Sequence, residues 1–422
     1  MATLTISQAS CADDYDPNSM PVAMARACIH QFLAPIEGTV RVPIRDALGR
    51  VLAEDVISPV NVPSHRNSAM DGWAMRGADL AADREATLAE IGASFAGRPF
   101  KGSVGKGQCV RIMTGGVVPE GADTVVMQER AKANGTQVTF APGQKTGQNV
   151  REAGEDLKAG SIALARGRMV RPAELGLVAS LGIGEVAVYR KLRVAFFSTG
   201  DELKGVGTVL GEGEIYDSNR YTLHGMLTRL GCEILDLGVV RDDPKLLERA
   251  FREAAASADV VITSGGVSVG EADFVKGMLA QLGEVVFWKI AMKPGRPLAY
   301  GKIGSAHFFG LPGNPVSVMA TFYQFVRDAL LVLMGAHPVE PVPTFTATCS
   351  ARLKKAPGRT EFQRGILSRG PDGALTVRPT GEQGSGILKS MSDANCFIIL
   401  GDATGNVEPG TAVEVQPLEG VV

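Results

Sequence analysis

Three acidic residues stand where a ligand site is expected in an α/β protein. Glu202, Asp242 and Asp273 each come shortly after an apolar run typical of a buried parallel strand. In a wound parallel sheet, ligands bind outside the carboxyl ends of the strands, so we expect these carboxylates at one rim. Neighbouring carboxylates repel each other unless a cation neutralises them, and oxygen ligands of this kind suit Mg²⁺. The pattern therefore predicts a magnesium site.

Glycine and hydroxyl residues form the loop after the predicted strand Val260–Ile262. The loop begins Thr263-Ser-Gly-Gly, and the next apolar residues at helical spacing begin near Phe274. Such a loop lets backbone N–H groups approach an anion closely, and the start of a helix adds a favourable dipole. A tight turn that binds nothing explains the same residues, so this loop alone does not decide between an anion site and a structural turn.

Basic residues lie near the same predicted sheet edge. Lys289, Lys293 and Arg296 flank two further strands. Carboxylates that bind a metal, together with cations and glycine loops that bind anions, are typical of a phosphate-ester or nucleotide site. A solvated charged rim is the alternative. The site is favoured because four unusual loops leave strand ends: Ser198–Glu202, Arg241–Asp243, Thr263–Gly270 and Leu311–Ser317.

Two segments earlier in the chain also carry unusual polar residues. Asp71 lies in Asn-Ser-Ala-Met-Asp-Gly-Trp-Ala-Met, and Thr114 lies in Arg-Ile-Met-Thr-Gly-Gly. Each residue sits among glycines and methionines. From spacing alone, two surface turns are the more frequent explanation of such segments.

Elements of several types must position these residues. Strands and helices alternate over 193–334, which predicts a doubly wound, mostly parallel sheet. Short β-type runs punctuated by Gly, Pro and Asn predict a small β-domain or barrel over 60–150, and another β-domain after 342. The segment 149–189, which contains a helical pattern near 173–181, is expected to pack beside residues 20–57, making one discontinuous domain around the β insert.

Composition excludes several classes of protein. The chain has 422 residues, which predicts more than one domain. Its net charge of −2 does not indicate a surface that binds nucleic acid or an acidic membrane. The six cysteines are scattered without a C-x-x-C pair, which fits a reducing compartment and predicts a cytoplasmic protein. No signal peptide or apolar run of about 18 residues is visible, so no membrane association is expected.

No hydrolase or zinc chemistry is indicated. The five histidines have no metal-ligand spacing, and no G-x-S-x-G motif is present.

Seven ordered motifs together resemble those of the molybdopterin molybdenumtransferase family, which is similar to the E domain of gephyrin. The motifs are Asn67-Ser-Ala-Met-Asp-Gly-Trp, Arg111-Ile-Met-Thr-Gly, Ser198-Thr-Gly-Asp-Glu-Leu, Ile215-Tyr-Asp-Ser-Asn, Ser264-Gly-Gly-Val-Ser-Val-Gly, Met292-Lys-Pro-Gly-Arg-Pro and Pro312-Gly-Asn-Pro-Val-Ser. The resemblance covers the chain from about residue 20 to its end.

The resemblance implies a multidomain α/β plus β protein. Its parts would be a discontinuous helical domain (18–57 and 151–188), a β insert domain (58–150), an α/β domain resembling the molybdopterin-adenylylating enzymes (189–338) and a C-terminal β-barrel-like domain (339–422). It also implies an elongated homodimer, with each site between the α/β domain of one subunit and the β insert of the other. Asp71 and Thr114 would then belong to the site.

The implied reaction converts adenylylated molybdopterin and molybdate to molybdenum cofactor and AMP, with Mg²⁺. The resemblance makes Asp71, Thr114, Glu202, Asp242 and Asp273 the catalytic residues, the last three also surrounding the metal. The implied substrate contacts are Ser264, Gly265, Gly266, Ser268, Lys289, Lys293, Pro294, Arg296, Pro312, Asn314, Pro315, Ser317, Arg364 and Ser385. Further implied partners are the molybdopterin-adenylylating enzyme and molybdoenzyme delivery factors.

Two alternatives and three departures accompany the resemblance. The chain could adenylylate molybdopterin instead, because 193–334 resembles that family too, or it could be a gephyrin-like scaffold without turnover. The additional domains and the intact acids and lysines argue against both.

Arg66 stands where an acid is frequent in the family, Trp73 replaces the usual Tyr, and Cys396 replaces a common Gly.

Overall fold

The computed structural model describes residues 6, 20–266 and 273–418. In its first half the helices and strands are α1 Val22–His30, β1 Thr39–Pro43, β2 Val56–Ile57, β3 Asn67–Ser68, β4 Gly72–Met75, β5 Ala86–Ser94, β6 Gln108–Ile112, β7 Thr124–Met127, β8 Ala131–Asn134, β9 Gln137–Phe140, β10 Val150–Arg151, β11 Ile162–Leu164, α2 Pro172–Ser180 and β12 Glu185–Tyr189.

Segments before and after the β insert are joined by strand pairing. β1 pairs antiparallel with β12, so that Val42 lies opposite Val186, and β2 pairs with β11. Helix α2 begins at Pro172, where the missing N–H costs nothing, and Glu174 accepts a hydrogen bond from the Arg171 backbone N–H at 3.1 Å. These contacts bring together the two segments that the sequence predicts to pack beside each other; the domain boundaries stay predictions.

The insert contains a mixed sheet in the order β7-β4-β6-β5-β9-β8 among the described strands. All residues of β4 are buried, because its side chains alternate between two small cores. Trp73 and Met75 face one core with Phe140, whereas Ala74 faces the other with Val110. The insert is thus a β-domain, as predicted.

The second half contains the α/β region and a further β region. Their described elements are β13 Arg193–Thr199, β14 Leu203–Lys204, β15 Ile215–Tyr216, α3 Ser218–Arg229, β16 Glu233–Val240, α4 Pro244–Ser257, β17 Val260–Ser264, α5 Asp273–Leu282, β18 Gly283–Lys289, β19 Met292–Lys293, β20 Pro297–Ile303, β21 Ala306–Leu311, α6 Pro315–Thr321, α7 Arg327–Leu333, β22 Phe345–Cys349, β23 Thr360–Arg369, β24 Leu375–Pro379, α8 Leu388–Asp393, β25 Cys396–Leu400 and β26 Ala412–Pro417.

The α/β region is built on a sheet in the order β16-β13-β17-β21-β20-β18. The first four strands of this order are parallel to one another, whereas β20 pairs antiparallel with both β21 and β18. Strand β17 is buried on both faces: Val260 and Ile262 face one core and Val261 the other. The predicted doubly wound, mostly parallel sheet is confirmed.

A long apolar helix follows β21. A π-helical turn at Phe322–Val326 joins α6 to α7, so that Pro315–Leu333 is long and apolar enough to cross a membrane by length and composition. However, 78% of its apolar window is buried inside the protein. The helix therefore has the burial expected of a core helix.

The last region forms a β-barrel from five of the described strands. Its order β23-β24-β22-β26-β25 closes because β25 also pairs with β23. Strand β19 of the α/β region pairs parallel with β23, with Met292 opposite Thr360 and Lys293 opposite Glu361. This short ladder fixes the barrel beside the edge of the sheet where the parallel strands end.

A candidate active site at the carboxyl ends of the parallel strands

A cavity of about 1100 Å³ lies at the carboxyl ends of β13, β17 and β21. Most of the predicted site residues line it: Glu202, Asp242, Ser264, Gly265, Gly266, Lys293, Pro294, Arg296, Pro312, Asn314, Pro315, Ser317 and Ser385. They come from five segments of the α/β region and one loop of the barrel region. The structure thus brings together side chains that are up to 183 positions apart, from Glu202 to Ser385.

Some predicted residues lie elsewhere. Lys289, Arg364, Asp71 and Thr114 are not among the described residues that line the cavity. Ser268 and the side chain of Asp273 lie outside the described residues. The proposed role of Asp273 as a metal ligand is therefore neither supported nor contradicted by the structure.

The glycine-rich turn after β17 forms the floor of the cavity. Gly265 and Gly266 have φ angles of 92° and 70°, which favour glycine. A Cβ on Gly265 would lie 2.6 Å from the backbone oxygen of Thr199, so the close approach of two loops also requires glycine. The Asn219 side-chain amide donates to Ser264 Oγ at 2.8 Å and to the Gly313 carbonyl at 2.6 Å, which holds three loops in one arrangement.

Acidic residues form one wall of the cavity: Asp201, Glu202, Asp217 and Asp242. Asp217 is 3% exposed and caps α3, because its Oδ1 accepts from the Arg220 backbone N–H at 3.2 Å. Its Oδ2, like Asn219 Oδ1, is buried without a hydrogen-bond partner among the described residues. Buried acceptors without donors are costly, so this wall is suited to a cation or to a ligand that donates hydrogen bonds.

The donor chemistry of this wall fits a hard cation, since carboxylate oxygens are preferred by Mg²⁺. Within the described part of the chain, however, no three His, Cys, Asp or Glu side chains are grouped closely enough to form a metal site. The predicted metal set Glu202, Asp242 and Asp273 is therefore not tested, because one member has no described side chain.

Basic residues also line the cavity: Lys293, Arg296 and Arg359. Gly295, between the first two, has a φ of 97°, and a Cβ there would lie 2.6 Å from Thr321 Oγ1. Lys293 Nζ lies 3.3 Å from Glu361 Oε1. Lys289 stands at the end of β18, and its backbone carbonyl accepts from the Met20 N–H at 2.9 Å. The cavity therefore presents acids and cations on different loops.

Arg364 is 1% exposed and supports a lining loop, and its expected contact with substrate stays a prediction. Its guanidinium donates to the carbonyls of Gln383 at 3.1 Å and Gly384 at 2.9 Å, and to Ser390 Oγ at 2.9 Å. Burial lowers the pKa of Arg364 to about 10, so it stays charged at neutral pH. The Ser385 carbonyl, from the same loop, accepts from the Val316 N–H at 3.1 Å, which ties the loop to α6.

Asp71 and Thr114 contact each other on the surface of the β insert. The backbone N–H and the hydroxyl of Thr114 donate to Asp71 Oδ1 at 2.7 and 2.8 Å. The hydrogen bonds from the Thr114 backbone and side chain lower the pKa of Asp71, so its carboxylate stays ionised to a lower pH than usual. Arg111 lies over the Trp73 ring, 4.2 Å from its centroid, beside this pair.

Several lining residues were not predicted from the sequence: Thr199, Asp201, Tyr216, Asp217, Asn219, Arg359 and Gln383. Asp217 both caps α3 and lines the cavity. The motif Ile215-Tyr-Asp-Ser-Asn contained the signal for Asn219. Arg359 carries no local signal, because only the pairing of β19 with β23 brings its loop to the cavity.

Three family models match this chain. The model described as "MoeA N-terminal region (domain I and II)" matches residues 20–182, "Probable molybdopterin binding domain" matches 195–331, and "MoeA C-terminal region (domain IV)" matches 346–418. Together they span all regions that contain the cavity and the insert.

Two curated relatives that cover most of this chain are named molybdopterin molybdenumtransferase. A molybdopterin molybdenumtransferase from Haemophilus influenzae is 48% identical over 376 residues, which cover 89% of this chain and 92% of the relative. The molybdopterin molybdenumtransferase from Bacillus subtilis is 34% identical, with 94% of each chain covered. A crystal structure of a molybdopterin biosynthesis MoeA protein from Pyrococcus horikoshii has a TM-score of 0.81 at 30% identity, covering 94% of this chain and 100% of that one.

Proposed function

The chain belongs to the family of molybdopterin molybdenumtransferases, and we propose that it inserts molybdate into adenylylated molybdopterin, releasing AMP and forming molybdenum cofactor. The observation that carries this proposal is the cavity at the strand ends, which is lined by acids from the connections after β13 and β16 and by cations from the connection between β18 and β20 and from the barrel region. Its volume of about 1100 Å³ suits a nucleotide-sized ligand that carries a pyrophosphate link.

The basic side chains of the cavity are suited to binding an oxyanion substrate. Molybdate is a dianion that must approach an adenylylated ligand that is already anionic, so positive side chains must lower the repulsion between them. Lys293, Arg296 and Arg359 supply that charge from two regions of the chain. The glycine turn at Gly265 leaves room for the backbone to approach a phosphate group.

Mg²⁺ fits the acidic wall. Glu202 and Asp242 would hold the ion with help from Asp201 and Asp217, one of whose oxygens has no partner within the described residues. The ion would neutralise charge that develops on the phosphate group as AMP leaves. Asp273 is proposed as a third ligand from the family resemblance alone.

We infer that the active form is a homodimer, in which the insert of one copy completes the cavity of the other. Asp71 and Thr114 form a polar pair on the insert, away from the described lining of the cavity in the same chain. A second copy would supply them to the cavity. We also propose a cytoplasmic location, with a molybdopterin-adenylylating enzyme supplying the substrate and molybdoenzyme delivery factors accepting the product.

The test is AMP release from adenylylated molybdopterin with Mg²⁺, with and without molybdate. We expect release that depends on molybdate and yields molybdenum-loaded pterin. Incubation of the protein with Mg-ATP and molybdopterin is the second arm. Adenylylated product without molybdate would support the adenylyltransferase alternative, and absence of turnover in both arms would support a scaffold.

A further inference from the structure

A buried carboxylate lies directly behind one cation of the cavity. Glu361, near the start of β23, is 4% exposed and is not among the described residues that line the cavity. A carboxylate buried to this degree needs charged or hydrogen-bonding partners. Its Oε1 lies 3.3 Å from Lys293 Nζ, and its Oε2 accepts from Gln363 Nε2 at 2.9 Å. Both oxygens are therefore paired.

The backbone fixes this contact. Lys293 and Glu361 are partners in the parallel pairing of β19 with β23, so the ion pair spans the junction between the α/β region and the barrel. The Lys293 side chain is 47% exposed and lines the cavity, whereas its partner is enclosed. An ammonium group has three protons, so one can point to Glu361 while others remain available to an anion.

Other charges face Glu361 without replacing Lys293. The buried Lys355 donates to the carbonyls of Ala356, Asp402 and Thr404 at 3.3, 3.4 and 2.9 Å, which uses all its protons. Arg359 is two residues from Glu361 and lines the cavity. Among the described side chains, Lys293 and Gln363 are therefore the groups within hydrogen-bond distance of this carboxylate.

We propose that Glu361 is a positioning residue for the anionic substrate: it holds the ammonium group of Lys293 at the cavity wall and does not itself contact substrate. This inference rests on the proposed function. Without the carboxylate, the flexible lysine side chain loses its anchor, and binding an anion must then restrict that side chain. The barrel thus contributes to the site through a contact inside the protein as well as through its exposed loops.

The first test is the variant Glu361→Gln, assayed by AMP release over a range of molybdate concentrations. We expect the half-saturating molybdate concentration to rise about tenfold, a change of about 1.4 kcal/mol in binding, while kcat falls less than about threefold. Glu408→Gln is the matched control, because Glu408 pairs with Arg352 on the surface of the same barrel. Its titration should equal that of the wild type.

Coupling to Lys293 distinguishes positioning from a general effect on folding. We expect Lys293→Met to raise the half-saturating molybdate concentration, and the further change Glu361→Gln to add nothing in that background. An additive effect of the two substitutions would overturn the proposal, as would an unchanged titration for Glu361→Gln in an active protein. A wild-type protein that releases no AMP would instead remove the proposed function, and this inference with it.

A second variant applies if Glu361→Gln does not fold, as judged by thermal unfolding. Gln363→Met removes the neutral donor at Oε2 and leaves the charge of Glu361 in place. A smaller rise, about threefold, is expected in half-saturating molybdate, again absent in the Lys293→Met background. A folded Gln363→Met protein with the wild-type titration would contradict the proposal.

Discussion

The cavity of the α/β region and the Asp71–Thr114 pair of the insert differ in how their polar atoms are satisfied. At the cavity, Asp217 Oδ2 and Asn219 Oδ1 are buried and have no partner within the described residues. On the insert, Asp71 and Thr114 are exposed and bond to each other. The buried acceptors without partners at the cavity indicate a ligand that a single chain can bind. The exposed Asp71–Thr114 pair already satisfies its own hydrogen bonds, so it joins a site only when another protein surface covers it.

The largest effect should come from the cavity. Glu202→Gln removes one negative charge from the acidic wall, so we expect AMP release to fall about 100-fold or more, with the thermal unfolding midpoint unchanged. Glu202 is exposed, so its replacement leaves the core intact. Glu248→Gln is the control, because Glu248 forms an i,i+4 pair with Arg252 on α4. Equal activities of the two variants would contradict the assignment of the acidic wall.

A smaller effect is expected on the insert. Asp71→Asn keeps an oxygen for the Thr114 hydrogen bonds but removes the charge, and we expect AMP release to fall about 30-fold. In the wild type, the lowered pKa of Asp71 keeps the carboxylate ionised as the pH falls through the usual range of Asp. The contribution of Asp71 to turnover should therefore persist at pH 4, close to the ordinary Asp pKa of 3.8, measured as the ratio of wild-type to variant rates. A ratio that vanishes at pH 4 would contradict the lowered pKa, and equal rates of wild type and variant at neutral pH would contradict a role for the charge.

Replacement of Arg364 should lower both turnover and stability, and its effect on turnover should be smaller than that of Asp71→Asn. Arg364→Lys removes the fork that binds the carbonyls of residues 383 and 384, so the loop that carries Ser385 loses its support. We expect AMP release to fall about fivefold and the unfolding free energy to fall by about 2 kcal/mol. A fall in stability with wild-type turnover would show that this loop does not act in the reaction.

The smallest effect on turnover is expected at the opposite end of the sheet. His307, near the start of β21, is 7% exposed, and burial lowers its pKa to about 4 from 6.5. Because the unfolded chain takes up the proton first, stability should be lost as the pH falls from 6.5 to 4, by about 1 kcal/mol per pH unit. His307→Phe should flatten this pH dependence in urea unfolding and leave AMP release at pH 7.5 within about twofold. Loss of activity in a folded His307→Phe variant would contradict the conclusion that His307 belongs to the core and not to the active site.

The sequence predicted the sheet well because local signals were strong. The continuous apolar run Val260–Ile262 and the glycine turn after it specify a buried strand and a loop with positive φ, and both are present. The place of Asp217 in the cavity was not predicted, because the burial of its second oxygen depends on loops that are distant in sequence. The support that Arg364 gives to the loop of Ser385 was not predicted, because a motif match identifies a position and not the direction of a side chain.

Contacts distant in sequence were beyond prediction from local pattern. The Lys293–Glu361 pair joins residues 68 positions apart, and nothing near Glu361 signals a buried charge. The same holds for Arg359, which reaches the cavity through the pairing of β19 with β23. Tertiary pairing of this kind depends on the closure of the barrel, which short windows of sequence do not encode.

Co-expression of the Glu202→Gln and Asp71→Asn chains tests most directly whether the two regions form one site across two copies. In a mixed dimer one site would carry both changes and the other neither. Random pairing should therefore restore about a quarter of wild-type AMP release, far above either variant alone. Activity no higher than the average of the two separate variants would contradict a site shared between the α/β region of one copy and the insert of the other.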